Sequence, residues 1–156
     1  MNANDTNIKV HDANIRMSAN ETNKPVGKII YPEISYIITG ICFDAHNSLG
    51  RFAREKQYGD EIEKGLIGRK IPYVREYRVG EMGNIIDFLI EEKIILEIKA
   101  KPLILKEDFH QTQRYLQHLN KKLALLVNFR NRYLKPIRII QIEKAAHKRF
   151  GVEANT

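Results

Sequence analysis

The sequence offers little that would cross-link the chain or place it in a membrane. Its 156 residues include one cysteine, Cys42, so no disulfide can form within the chain. Cys42 lies in an apolar helical pattern, which predicts a buried core thiol rather than a nucleophile. No apolar run reaches the roughly 18 residues that a membrane span needs, and the N-terminus lacks the apolar core of a signal peptide. We therefore expect a cytoplasmic protein without a membrane partner.

Acidic residues are scarce in the C-terminal third. Residues 121–150 contain nine Lys or Arg and one acid, while the whole chain has a net charge of +7. Residues 81–97 show the reverse, with five acids and one base. Net charge bears on partners and solubility rather than on fold, and here it favours an acidic partner, with nucleic acid first. An acidic centre beside a basic region suits a site that binds a metal and holds phosphates.

The chain divides into three parts by composition. A polar, asparagine-rich segment, 1–25, predicts a disordered tail; 26–143 predicts a single domain; 144–156 predicts a basic tail. Within the domain, apolar periodicity predicts three helices, at Pro32–Leu49, Phe52–Leu66 and Lys106–Asn120. Short apolar runs predict five strands, at Pro72–Val79, Ile85–Ile90, Lys93–Lys99, Leu123–Phe129 and Ile137–Ile142. This order predicts an α/β or α+β sandwich with a mixed sheet.

Charged residues interrupt two adjacent apolar strands. Glu97 and Lys99 share one face of a strand, and Asp87 lies in the middle of the preceding one. Buried charges are costly unless they are paired or bound to a metal. A two-residue loop between the strands would put Asp87 and Glu97 on opposite faces, whereas the three-residue loop 91–93 puts them opposite each other. We predict the three-residue loop, because only that register assembles a site.

The spacing of these three residues is D-x9-E-x-K. Carboxylates of Asp87 and Glu97 on adjacent strands can share a hard cation such as Mg²⁺, which lowers the pKa of water and neutralises charge at a phosphate. Lys99 beside them can orient or deprotonate that water, or stabilise the transition state. The alternative is a structural ion pair between Lys99 and one of the carboxylates, since an E-x-K triplet occurs by chance about once in a chain so charged.

The sequence resembles the PD-(D/E)xK nuclease superfamily and, within it, the GxxExxY family. The resemblance runs from about Ile34 to Ile140 and rests on four motifs, namely Ala45–Gly50, Glu55–Tyr58, the Asp87/Glu97/Lys99 set and Gln111–Leu116. It implies an α/β fold, with a PD-(D/E)xK nuclease-like core in which helices flank a mixed β-sheet.

The resemblance also implies roles for individual residues. Asp87 and Glu97 would be ligands of Mg²⁺ (or Mn²⁺), Lys99 would be catalytic, and Glu55 would be a further catalytic acid. Gln111 and Tyr115 would line the site and contact substrate. The chain departs from the namesake motif three residues before Glu55, where Phe52 replaces the expected glycine and lacks its backbone freedom.

Together these features predict a metal-dependent nuclease that acts on nucleic acid, with DNA as the favoured substrate. The alternative is a non-catalytic nucleic-acid-binding or assembly protein that retains the nuclease fold, and a homodimer that binds a protein partner is a third hypothesis. Basic side chains of the C-terminal third are candidate phosphate contacts, with a solvated surface as their alternative role: Arg130, Arg132, Lys135 and Arg138.

Overall fold

The computed structural model describes residues 28–81 and 83–142. The predicted tails, 1–25 and 144–156, lie outside these residues. The described chain forms helices α1 (Pro32–Leu49), α2 (Glu55–Gly68) and α3 (Lys106–His118), and strands β1 (Tyr73–Val79), β2 (Asn84–Ile90), β3 (Ile94–Lys99), β4 (Leu123–Asn128) and β5 (Ile137–Ile140). None of these helices is long and apolar enough to cross a membrane.

The strands form one mixed sheet in the order β1-β2-β3-β4-β5. β3 and β4 are parallel, and α3 makes the crossover between them, while the other neighbouring strands are antiparallel. Side chains of α1 and α2 pack on one face of the sheet, and those of α3 pack on the other. The predicted mixed sheet flanked by helices is confirmed.

The central strands are apolar on both faces because helices cover both. Ile94, Leu96 and Ile98 belong to the core against α1 and α2, whereas Ile95 packs with α3. Continuous apolar runs are typical of such doubly covered strands. Glu97 occurs within this run and is 4% exposed, so the fold removes its carboxyl group from solvent.

The first predicted helix is confirmed at both ends, but the predicted start of the second at Phe52 is wrong. Gly50 has a φ of 70° and ends α1, residues 51–53 form bends, and Arg54 is extended. The side chain of Gln57 accepts a 2.9 Å hydrogen bond from the backbone N–H of Arg54, which fixes the start of α2 at Glu55. Phe52 is therefore not on an apolar helix face, and it is 74% exposed.

Other boundaries shift by a few residues at most. α3 ends at His118 instead of Asn120, and β5 ends at Ile140 instead of Ile142. Cys42 is buried as predicted, and burial raises the pKa of its thiol to about 12.

Candidate active site

The β2–β3 hairpin brings the two acidic residues together. Phe88 pairs with Leu96, and Ile90 pairs with Ile94, so residues 91–93 form the loop. Extended by one residue, this register would place Asp87 opposite Glu97. The predicted three-residue loop is confirmed, and the register that would have separated the two carboxylates is excluded.

The strand pairing is distorted beside Asp87. β1 and β2 keep one register on either side, with Arg75 opposite Phe88 and Tyr77 opposite Ile86, but Glu76 and Asp87 do not pair. Glu76 has a φ of 53°, a conformation that costs a non-glycine residue of order 1–3 kcal/mol and that clusters at functional sites.

Asp87 is held by the neighbouring strand instead. Its Oδ2 accepts a 2.7 Å hydrogen bond from the backbone N–H of Ile98. Burial raises the pKa of the Asp87 carboxyl, and this hydrogen bond opposes the shift because it favours the charged form. The charge of Glu55 adds to the upward shift. The backbone of β3 thus fixes the Asp87 carboxylate beside Ile98, the residue that follows Glu97.

Glu97 has the more perturbed carboxyl group. Burial, and then the charge of Asp87, raise its pKa to about 8, while Lys99 opposes the shift. Burial thus raises the pKa of both carboxyl groups, and the charge of each neighbouring acid adds to the shift. Among the buried side-chain atoms of the described residues, Oε1 of Glu97 lacks a hydrogen-bond partner.

Lys99 lies next to this carboxyl group. Its Nζ is 3.8 Å from Oε2 of Glu97, and the lysine side chain is 19% exposed. The ion pair proposed as an alternative is therefore present, but at a long distance. It leaves the other oxygen of Glu97 without a hydrogen-bond partner, and Lys99 makes no ion-pair contact with the half-buried Asp87, so ion pairing alone does not account for the two carboxyl groups.

Glu55 reaches the same region from the first turn of α2. Its Oε1 accepts a 3.1 Å hydrogen bond from the backbone N–H of Ala100, the residue that follows Lys99. The side chain is exposed, yet it is tied to the end of β3. The structure therefore brings Glu55 beside the Asp87, Glu97 and Lys99 set, as the resemblance implied.

Gln111 and Tyr115 approach from α3. The amide of Gln111 donates a 2.8 Å hydrogen bond to the Tyr115 hydroxyl oxygen. Tyr115 is 4% exposed, and burial raises the pKa of its phenol, with the charge of Glu97 as the second cause. The predicted pair therefore lies on the Glu97 side of the sheet.

The four candidate phosphate contacts do not lie together. Arg130 and Arg132 follow β4 at the edge where β3 also ends, and the guanidinium of Arg130 donates a 3.2 Å hydrogen bond to the carbonyl oxygen of Ala100. Lys135 is exposed in the connection to β5. Arg138 donates to Oγ of Ser35 at 2.6 Å and ties β5 to α1, away from the carboxyl groups.

Two residues that support the site were not predicted. Tyr58 is fully buried, donates a 2.5 Å hydrogen bond to the carbonyl oxygen of Gly50 and accepts one from the N–H of Ala53 at 3.2 Å, so it fixes the loop before Glu55. Asn128 donates a 2.7 Å hydrogen bond to the carbonyl oxygen of Lys101 and fixes the chain after Lys99. The sequence did offer a signal for Asn128, because it is the one polar residue of the apolar strand β4 and ends that strand.

The carboxyl groups suit a hard divalent cation. In the described part of the chain, no group of three or more His, Cys, Asp or Glu side chains is placed to hold a metal. Mg²⁺ is commonly bound by one or two carboxylates and keeps several water ligands. The pair of Asp87 and Glu97, with a buried oxygen lacking a partner, fits this requirement.

Comparison with known proteins identifies the family. A profile of the PD-(D/E)XK nuclease superfamily matches residues 32–140, so the chain belongs to this superfamily. No curated protein gives a significant match. The crystal structure of SSO0001 is 19% identical, with 69% of this chain and 67% of that chain covered and a TM-score of 0.42. Similarity at that level supports no conclusion about this chain.

Proposed function

We propose that this protein is a metal-dependent nuclease that hydrolyses phosphodiester bonds, with DNA as substrate and Asp87, Glu97 and Lys99 at its centre. The observation that carries the proposal is the partnerless, buried Oε1 of Glu97 on a strand fixed against Asp87. The ionised form of an acid buried in such a position needs a compensating cation. Membership of the superfamily supports the same chemistry.

Asp87 and Glu97 would hold Mg²⁺ or Mn²⁺, whose chemistry here is to acidify water and offset charge at the phosphodiester. Lys99 would orient the attacking water through Nζ and stabilise charge that develops on the phosphate. Tyr115, oriented by Gln111, would contact substrate from the α3 side. Glu55, held by the N–H of Ala100, would add a carboxylate at the mouth of the site.

Basic side chains beyond the strand ends would hold the nucleic-acid backbone. Arg130, Arg132 and Lys135 are placed at the end of the sheet where β3 and β4 finish. Arg138 stays a prediction of the sequence, although its guanidinium already bonds to Ser35 and to the carbonyl oxygen of Ile30, at 2.6 and 2.5 Å.

We also propose that the chain belongs to the GxxExxY family within the superfamily. The spacing of Glu55 and Tyr58 supports this, as do their contacts with the loops around the site. Cytoplasmic location and a homodimer remain predictions of the sequence. Size-exclusion chromatography with light scattering would report the mass of the particle directly.

Cleavage of a mixed substrate panel tests the proposal. Linear, nicked, branched and single-stranded DNA, together with RNA, would be incubated with Mg²⁺ or Mn²⁺ and either the wild type or Lys99→Ala. We expect cleavage by the wild type, loss of cleavage in Lys99→Ala and retained DNA binding in both. Lys93→Ala is the matched control, because it removes the same charge just before the opposite end of β3.

Two results would contradict the nuclease. Equal cleavage by wild type and Lys99→Ala would assign the activity to a contaminant or to another site. DNA binding without cleavage by the folded wild type would favour the alternative function, a non-catalytic nucleic-acid-binding protein that retains the nuclease fold.

A further inference from the structure

A groove borders the candidate active site at the ends of β3 and β4. It has a volume of about 550 Å³, within the range of about 300–1,000 Å³ usual for ligand clefts. Its wall combines cationic and aromatic side chains and contains no acidic residue: Arg51, Phe52, Pro102, Arg130, Asn131, Arg132 and Tyr133. This composition suits an anionic ligand that also presents flat apolar surfaces.

Two aromatic rings of the groove are open to solvent. Phe52 is 74% exposed and Tyr133 is 77% exposed, so neither ring contributes to the core. Guanidinium groups lie near both: those of Arg51 and Arg130 are 5.0 and 5.4 Å from the Phe52 centroid, and that of Arg132 is 5.4 Å from the Tyr133 centroid. Proteins that bind single-stranded nucleic acid use such exposed rings to stack bases. They use neighbouring cationic side chains to neutralise phosphates.

Ala100 links the groove to the candidate site. The N–H of Ala100 donates to Glu55, and its carbonyl oxygen accepts from Arg130, at 3.1 and 3.2 Å. Ala100 directly follows Lys99. A nucleic-acid strand bound in the groove would therefore reach the edge of the candidate site, where Glu55 and Lys99 lie.

The loop that carries Phe52 is held in place before any ligand arrives. The Tyr58 hydroxyl bonds to Gly50 and Ala53 on either side of it. Nε of Arg51 donates a 3.0 Å hydrogen bond to the carbonyl oxygen of Arg130, which joins this loop to the one after β4. A platform fixed in this way loses little conformational freedom on binding.

We propose that this groove binds single-stranded DNA, with bases stacked on Phe52 and Tyr133 and phosphates held by Arg51 and Arg132. The inference rests on the proposed nuclease function and names its substrate class. Double-stranded DNA hides its base faces in the helical stack, so it offers nothing for the two rings to contact. The enzyme would then act on single strands, or on single-stranded ends and flaps attached to duplex.

Fluorescence anisotropy separates stacking from charge. The probes are a labelled oligothymidylate of about 20 nucleotides, longer than known single-strand site sizes, and an abasic strand of equal length and charge, both with EDTA to prevent cleavage. We expect Phe52→Ala and Tyr133→Ala each to weaken oligothymidylate binding about tenfold, the loss typical of one stacked base. Abasic binding should change little.

Tyr36→Ala is the matched control, because Tyr36 is a tyrosine of similar exposure, 82%, on α1 and outside the groove. It should leave both affinities unchanged. Phe52→Leu keeps an apolar side chain without a ring, and it should weaken oligothymidylate binding nearly as much as Phe52→Ala. A loss in Phe52→Ala that Phe52→Leu fully restores would overturn stacking as its cause.

The outcomes for the groove and for the nuclease are distinct. Equal affinity of the wild type for the oligothymidylate and the abasic strand would overturn the stacking proposal even if the wild type cleaves DNA. So would unchanged oligothymidylate affinity in both Phe52→Ala and Tyr133→Ala. Ring-dependent binding by a protein that cleaves nothing would support the groove and contradict the nuclease.

Discussion

Replacing Glu97 by glutamine should stabilise the protein when divalent metal is removed, and more so at high pH. The unfolded chain ionises this carboxyl group near pH 4.5, whereas burial and Asp87 raise the native pKa to about 8. Between these values the native state binds more protons than the unfolded state. Wild-type stability therefore falls as pH rises through this window.

The magnitude follows from the size of the shift. Each unit of pKa difference corresponds to about 1.4 kcal/mol, so the full cost of ionising Glu97 in the folded state approaches roughly 5 kcal/mol above pH 8. The side chain is 6% exposed, so solvent does little to reduce this cost. A change of this size is a large part of the usual 5–15 kcal/mol of domain stability, and it is readily measured.

Urea unfolding with EDTA at about pH 5, 6.5 and 8.5 would measure the effect. The stability of Glu97→Gln relative to wild type should increase by several kcal/mol across this series. Glu92→Gln is the control, because Glu92 is an exposed acid in the β2–β3 loop. A Glu97→Gln difference that stays constant across the series would refute the assignment of Glu97 as a buried acid that ionises at raised pH.

Three other substitutions or treatments give further tests. Tyr58→Phe removes two hydrogen bonds to the loop before α2 and should cost about 1–3 kcal/mol of unfolding free energy in urea; an unchanged stability would mean that these bonds do not hold the loop. Asp87→Asn should abolish stabilisation by Mn²⁺ in thermal unfolding, and an undiminished Mn²⁺ shift would exclude Asp87 as a ligand. Because burial raises the Cys42 pKa to about 12, Ellman's reagent should react with Cys42 only after unfolding, and rapid reaction of the folded protein at pH 8 would contradict its burial.

The sequence contains enough information for the sheet and for its central hairpin. Apolar runs identify all five strands, and the positions of Asp87 and Glu97 select one register because a slip of one residue moves every side chain to the opposite face. The approach of the two carboxyl groups follows from that register. Helix α1 is equally well determined, since Pro32 marks its start and Gly50 follows its last residue.

The remaining features depend on contacts between distant parts of the chain. The start of α2 was misplaced because Phe52 fits a helical apolar pattern, and only the bonds made by Gln57 and Tyr58 show that it lies in a loop. The interaction of Arg138 with Ser35, 103 residues apart in the chain, is likewise invisible in local sequence. The groove that carries Phe52 and Tyr133 forms where two such loops meet, so no linear motif reveals it.

Isothermal titration with Mn²⁺ is the decisive measurement, because the proposed metal centre requires Asp87 and Glu97 to hold one divalent cation together. Wild type, Glu97→Gln and Glu92→Gln would be titrated at about pH 8.5. We predict one binding event for wild type and Glu92→Gln, and its loss in Glu97→Gln. Equal Mn²⁺ affinity in all three proteins would contradict the metal centre and, with it, the nuclease mechanism.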